Sequence, residues 1–175
     1  MDERRIAWAI TGAGHELEEC TRILLDCRKL DIFLSRAGQE VLRMYNLHTR
    51  VNAPDVRVYQ EDKASSPLIG RLFSGRYSVL VIAPATSNSV AKFVHGISDT
   101  LVTNLFAQAG KSNVPIVVYP TDLRSEMESS GPHHESVKVY PRPIDLENTE
   151  KLRVFPGVTV VESLEALGKV LAAYR

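Results

Sequence analysis

Four short, nearly continuous apolar runs, at residues 5–11, 31–34, 77–82 and 114–119, restrict this chain to one kind of architecture. A strand with one face in water alternates apolar and polar residues, whereas a strand apolar along its whole length is covered on both faces. Helical patterns fill the intervals. Leu17, Cys20, Ile23, Leu24 and Cys27 recur at helical spacing within residues 16–29, with glutamates in the first turn, where the helix dipole favours them. Residues 39–45 read as a second helix, and residues 87–109 as a helical stretch that breaks near Gly96. A short strand is expected at residues 56–59, a short helix at 68–73 entered by Pro67, a strand near 158–161 and a helix at 163–174. Alternating strands and helices with buried-type strands imply a parallel sheet between two helical layers, a three-layer α/β fold.

The 175 residues, 44% of them apolar and 24% charged, suit one domain that buries its core without disulfides or a structural metal. Lysine plus arginine equals aspartate plus glutamate at 21 each, which leaves no electrostatic case for nucleic acid or an anionic membrane. The start Met1-Asp2-Glu3-Arg4-Arg5 runs straight into a strand, with no signal peptide and no apolar run long enough for a bilayer, so a cytoplasmic protein is expected. Cys20 and Cys27 read as reduced helix cysteines rather than metal ligands. Five of the nine prolines follow Tyr119. Within the single domain of residues 1–175, residues 120–156 are therefore expected to be an irregular loop with little helix, acting as a lid toward substrate or partner.

Two segments carry chemistry. Gly12-Ala13-Gly14-His15 is a glycine-rich strand-to-helix turn, whose backbone N–H groups suit a phosphate. Ser35 and Arg36, at the end of the second strand, add a hydroxyl and a guanidinium for an anion. A tight turn alone would explain the glycines, and Arg36 equally fits the 2′-phosphate of NADP. An NADP-binding module therefore stands as a rival, although Leu17 occupies the place of a third glycine. The second segment is Ala83-Pro84-Ala85-Thr86-Ser87-Asn88-Ser89, at the carboxyl end of the third strand. Ligands of open α/β sheets bind at that edge, and these small hydroxyl and amide groups suit a hydrogen-bonding ligand. One helix cap needs only one such residue. Asp99 is expected as the cap or first-turn acid of the helix after Gly96, and His95 as a structural group.

This segment, continued through Gly96-Ile97-Ser98-Asp99-Thr100-Leu101, resembles the Pro-Ala-Ser-Ala-Asn-Thr signature of the flavoprotein family that includes the homo-oligomeric flavin-containing cysteine decarboxylases. The resemblance spans residues 6–119. It implies a flavodoxin-like or Rossmann-like three-layer fold, FMN as cofactor, and assembly as a homotrimer or a multiple of trimers with FMN at subunit interfaces. Matched residue by residue, Gly12, Ala13, Gly14 and Ser35 hold the phosphate end, with His15 and Arg36 beside them. Ala85, Thr86, Ser87 and Asn88 contact the ribityl chain and the isoalloxazine. The decarboxylase branch carries a His-Ile motif where this chain reads Ser65-Ser66-Pro67-Leu68-Ile69, and a Pro-x-Met-Asn motif where it reads Pro120-Thr121-Asp122-Leu123. The Glu-Met-Pro run of the prenylated-flavin synthases is also missing. The chain is most similar to the archaeal-type flavoproteins and dihydromethanopterin reductases, through residues 83–104 and Ala107-Gln108-Ala109-Gly110-Lys111. That subgroup implies a redox role: reduction of a pterin-type substrate, or electron transfer with a protein donor. An FMN-dependent decarboxylase or transferase is the alternative. No catalytic acid or base is singled out. Lys111, His133 and His134 are candidates to tune the flavin, the histidines equally reading as a solvated loop pair.

Overall fold

The structure is a computed structural model that describes residues 4–52, 56–61 and 75–174. Six parallel strands form the sheet in the order β3-β2-β1-β4-β5-β8. They are β1 (Arg5–Ile10), β2 (Leu30–Leu34), β3 (Arg57–Gln60), β4 (Tyr77–Ala85), β5 (Ile116–Pro120) and β8 (Val158–Val160). Counting only strands of this sheet, the order is 3-2-1-4-5-6, the doubly wound arrangement. The chain winds outward from β1 to β3, then returns to lay β4 against the other side of β1 and winds the opposite way. That reversal opens a crevice at the carboxyl ends of β1 and β4, the place where ligands of open α/β sheets bind.

Strand β1 shows how the sequence builds the layers. Ile6, Trp8 and Ile10 point to one face, where α1 (Leu17–Leu25), α2 (Arg36–Met44) and α6 (Leu164–Leu171) bury Leu17, Leu24, Leu42 and Leu167. Ala7 and Ala9 point to the other, and their small size leaves room for Phe33, Phe93 and Phe106 under α3 (Ser87–Val94) and α4 (Leu101–Lys111). Phe93 and Phe106 stack with centroids 4.2 Å apart. Each large side chain so buried stabilises the fold by about 1.5–3 kcal/mol relative to exposure. The Trp8 indole N–H donates to the Ala83 carbonyl at 2.7 Å, which ties β1 to the carboxyl end of β4. Among the described residues, no helix is long and apolar enough to cross a membrane.

The expected strands and helices form, with shifted ends. Helix α2 starts three residues earlier than expected, because Ser35 caps it by accepting from the Gly38 N–H at 2.9 Å. The expected helix at 68–73 lies outside the described residues. Residues 120–156 correct the loop expectation. They contain the antiparallel hairpin β6 (Met127–Ser130) and β7 (Ser136–Val139), then α5 (Pro143–Arg153). Pro143 opens that helix from its first position, where its missing N–H costs nothing. The buried side of α5 holds Asp145, Asn148, Thr149 and Leu152, so no apolar period announces it. Pro143 marks the entrance of a helix, while Pro120 ends β5 and Pro132 sits in the hairpin turn, so the prolines bound elements rather than exclude them.

Candidate functional site

A cleft of about 760 Å³ lies at the switch point, within the size range of small-molecule sites. Its floor is stitched by one hydroxyl. Thr11, 2% exposed, donates from Oγ1 to the Pro84 carbonyl at 2.9 Å and accepts from the Thr86 N–H at 3.0 Å. Next to it Gly12 allows the turn after β1 to approach α2; a Cβ there would stand 2.7 Å from the Ala37 Cβ. Thr86 caps α3 by accepting from the Ser89 N–H at 3.2 Å, and Thr100 caps α4 by accepting from the Thr103 N–H at 3.2 Å. The N-termini of α2, α3 and α4 thus all border the cleft, and their first-turn N–H groups have no partner within their own helices.

One of these ends differs from the expectation. Asp99 caps nothing: it takes both of its oxygens to the Lys92 ammonium, at 2.8 and 2.9 Å, across the break between α3 and α4. The Lys92 hydrogen bond holds the Asp99 carboxyl below the usual carboxylate range. The Glu61 carboxylate, just past β3, accepts from the Arg36 N–H at 2.6 Å and from the Leu101 N–H at 2.7 Å. Neither α2 nor α4 has an acidic residue in its own first turn.

Gly12, Ser35, Arg36, Thr86 and Asn88 line this one cleft. Ala13 and Ala85 are buried behind it, 6% and 0% exposed, and Ser87 opens α3 without lining it. Gly14 and His15 face elsewhere, into a cavity of about 370 Å³ between α1 and the hairpin. A Cβ on Gly14 would collide with the Tyr45 ring. The Tyr45 hydroxyl in turn donates to the Ser130 carbonyl at 2.9 Å and moors the hairpin there. The hairpin borders that smaller cavity, and no residue of 120–156 lines the cleft. Lys111 ends α4 at the far edge of the sheet, where the chain enters β5, and His133 and His134 lie in the hairpin turn. The polar lining residues the sequence did not single out are Glu40, Glu61 and Asn104, with Thr11 read only as a strand end. Glu61 and Thr11 have no motif, because each reaches the cleft through contacts between segments far apart in the chain; Asn104 is held locally, its amide donating to the Ser98 and Thr100 carbonyls at 3.1 and 2.9 Å.

A third cavity, of about 470 Å³, borders Tyr119 and Glu16. The Tyr119 hydroxyl donates to the Glu16 carboxylate. Burial, then that bond, push the Tyr119 phenol up. Burial, then Glu16 and Glu19, push the Cys20 thiol up as well. Among the described residues, no three His, Cys, Asp or Glu side chains are grouped to hold a metal ion.

The sequence profile of the Flavoprotein family matches residues 1–172. A Burkholderia xenovorans protein, DmrB, solved in complex with FMN and described as a cubic protein cage for redox transfer, superposes with a TM-score of 0.85. The two share 41% identity over 98% of this chain and 97% of that one. The dihydromethanopterin reductase (acceptor) of Methanosarcina mazei is 38% identical over 77% of this chain and 62% of its own length. That of Methanocaldococcus jannaschii is 41% identical over 69% of this chain and 54% of its own. The chain therefore spans little more than half to three fifths of these two reductases.

Proposed function

This chain belongs to the Flavoprotein family, and from that premise we propose that it binds FMN in the switch-point cleft and works as a redox flavoprotein, reducing a dihydropterin-type substrate. The carrying observation is the cleft itself: hydroxyl and amide side chains of Thr86, Asn88, Ser89, Thr100 and Asn104 beside three helix N-termini. That set fits FMN. The ends of α2 and α4, with Ser35, offer N–H and hydroxyl donors to a phosphate, and the polar side chains suit a polyhydroxyl chain and the edge of a flat ring. When bound, FMN supplies the hydride or electron transfer. The residues supply position. Thr11 locks the β1 and β4 ends together, Gly12 keeps the turn close to α2, and the Lys92–Asp99 pair holds the break between α3 and α4. No histidine lines the cleft among the described residues, which favours redox work over the decarboxylase alternative.

The same reading includes a homo-oligomer built on trimers. Its support is the 41% identity to DmrB, since a cubic cage contains threefold axes by symmetry. Sedimentation should give a mass that is a multiple of three chains, and a flavin-loaded monomer would reject this part. The function is tested by titrating the flavin-stripped full chain with FMN and then following flavin absorbance anaerobically. Reduction by NADH, NADPH or reduced ferredoxin, and reoxidation by a dihydropterin, are expected. Tight FMN binding with no reoxidation by any pterin would reject the substrate class but keep the flavin. Failure to bind FMN would reject the whole reading.

A further inference from the structure

We infer that the Glu61 carboxylate is an internal competitor for the phosphate: it holds the two helix-terminal donors that the FMN phosphate needs, so FMN entry displaces it. The inference rests on the FMN reading above. Glu61 bridges Arg36 N–H at 2.6 Å and Leu101 N–H at 2.7 Å, the first residues of α2 and α4. These helices belong to opposite layers of the sandwich, so one carboxylate joins the two layers across the cleft. Helices of nine and eleven residues each end there in N–H groups without an intrahelical acceptor and in the positive end of a dipole. A phosphate has the oxygens to bridge the same two N–H groups. It cannot do so while Glu61 stays, because two anions would share donors at hydrogen-bond distance.

The cleft offers little to offset that repulsion. Lys92 is already paired with Asp99. The remaining charges lining it are Arg36, Glu40 and Glu61 itself. Glu61 follows the end of β3 and is only half-buried, so displacing it is a side-chain swing rather than a rearrangement of the sheet. The consequence is a pair of effects with opposite signs. Glu61 stabilises the chain without flavin, by satisfying two orphan donors, and weakens FMN, by occupying them. A residue with a purely structural role would change both in the same direction.

The test uses the full chain stripped of flavin, as wild type and as Glu61→Gln, with Glu61→Ala as a second variant. A glutamine carries no charge, and its single amide oxygen serves two N–H groups poorly. Without flavin both variants should melt below the wild type. With FMN both should bind about tenfold tighter or more, a factor of ten corresponding to about 1.4 kcal/mol. Riboflavin, which lacks the phosphate, should bind all three proteins alike. An unchanged or weaker FMN affinity in both variants overturns the inference, as does an equal gain for riboflavin. If the wild type binds neither flavin, the FMN reading fails by itself, and inorganic phosphate then decides: greater thermal stabilisation of Glu61→Gln than of wild type supports the competitor, and equal stabilisation overturns it.

Discussion

The Thr11 hydroxyl joins the carboxyl ends of β1 and β4, donating to the Pro84 carbonyl and accepting from the Thr86 N–H. Thr11→Val keeps the shape and removes the hydroxyl, leaving the Pro84 carbonyl and Thr86 N–H without that partner. Stranding a buried polar group costs about 1–3 kcal/mol. The variant should therefore melt lower and bind FMN more weakly, and Thr11→Ser should restore both; an unchanged melt and affinity would remove Thr11 from the floor of the cleft. Cys20 offers a second residue-level prediction. Its thiol is 1% exposed and is pushed well above the usual cysteine range, first by burial and then by Glu16 and Glu19. Since the thiolate is the reactive form, Cys20 should resist a chromogenic disulfide reagent at neutral pH and react on denaturation. Mass spectrometry locating the label on Cys20 in the native protein would contradict this.

At the level of elements, legibility followed the apolar pattern. Strands β1, β2, β4 and β5 are buried on both faces and read as continuous apolar runs, so their existence was plain. Helix α5 was invisible because it turns Asp145, Asn148 and Thr149 inward, and polar side chains mark a buried face only when their partners are known. Asp145 illustrates the point. Its carboxylate accepts from the Arg142 backbone N–H at 3.0 Å and from the Arg142 guanidinium at 2.8 and 2.7 Å, closing the start of the helix. The guanidinium hydrogen bonds hold the Asp145 carboxyl below its ordinary value of 3.8. A carboxyl lowered on folding stabilises the fold above its ordinary value, and the contribution is lost as pH falls through the lower folded value. Asp145→Asn should cost about 1 kcal/mol, the usual scale for a helix cap. The gap in melting temperature from wild type should stay constant from neutrality to about pH 4 and close in stronger acid. Melts across that range check it, and a gap that widens in acid would contradict the assignment.

On the scale of the whole molecule, the two edges of the sheet have separate tasks. The general rule that ligands sit at the carboxyl edge was enough to place the cleft, and the glycine turn and the Ala83–Ser89 segment both lie there. The second half of the glycine turn faced away, because Gly14 and His15 follow the chain over the top of the sheet toward α1 and the hairpin. The amino edge carries a different cluster, which no motif announced. Asp31, fully buried, accepts from Arg5 Nε at 2.6 Å and from the Tyr77 hydroxyl at 2.7 Å, with the Arg76 guanidinium 3.7 Å away. This cluster joins the beginnings of β1, β2 and β4, the three strands on which the rest of the sheet is built. Breaking a buried pair by removing one partner costs about 3 kcal/mol or more, because the other partner keeps an uncompensated charge. Asp31→Ala should therefore lower the melting temperature by roughly 10 °C, at about 2–4 °C per kcal/mol for a chain of this size. The six residues of β1 put about 20 Å between that cluster and Thr11. No side chain of the cluster lines the cleft. Measured well below the melt, Asp31→Ala should bind FMN with wild-type affinity. A variant that is both less stable and markedly weaker for FMN would mean that strain at the amino edge reaches the cleft through the strands, and the separation of stability from binding along the sheet would then be wrong.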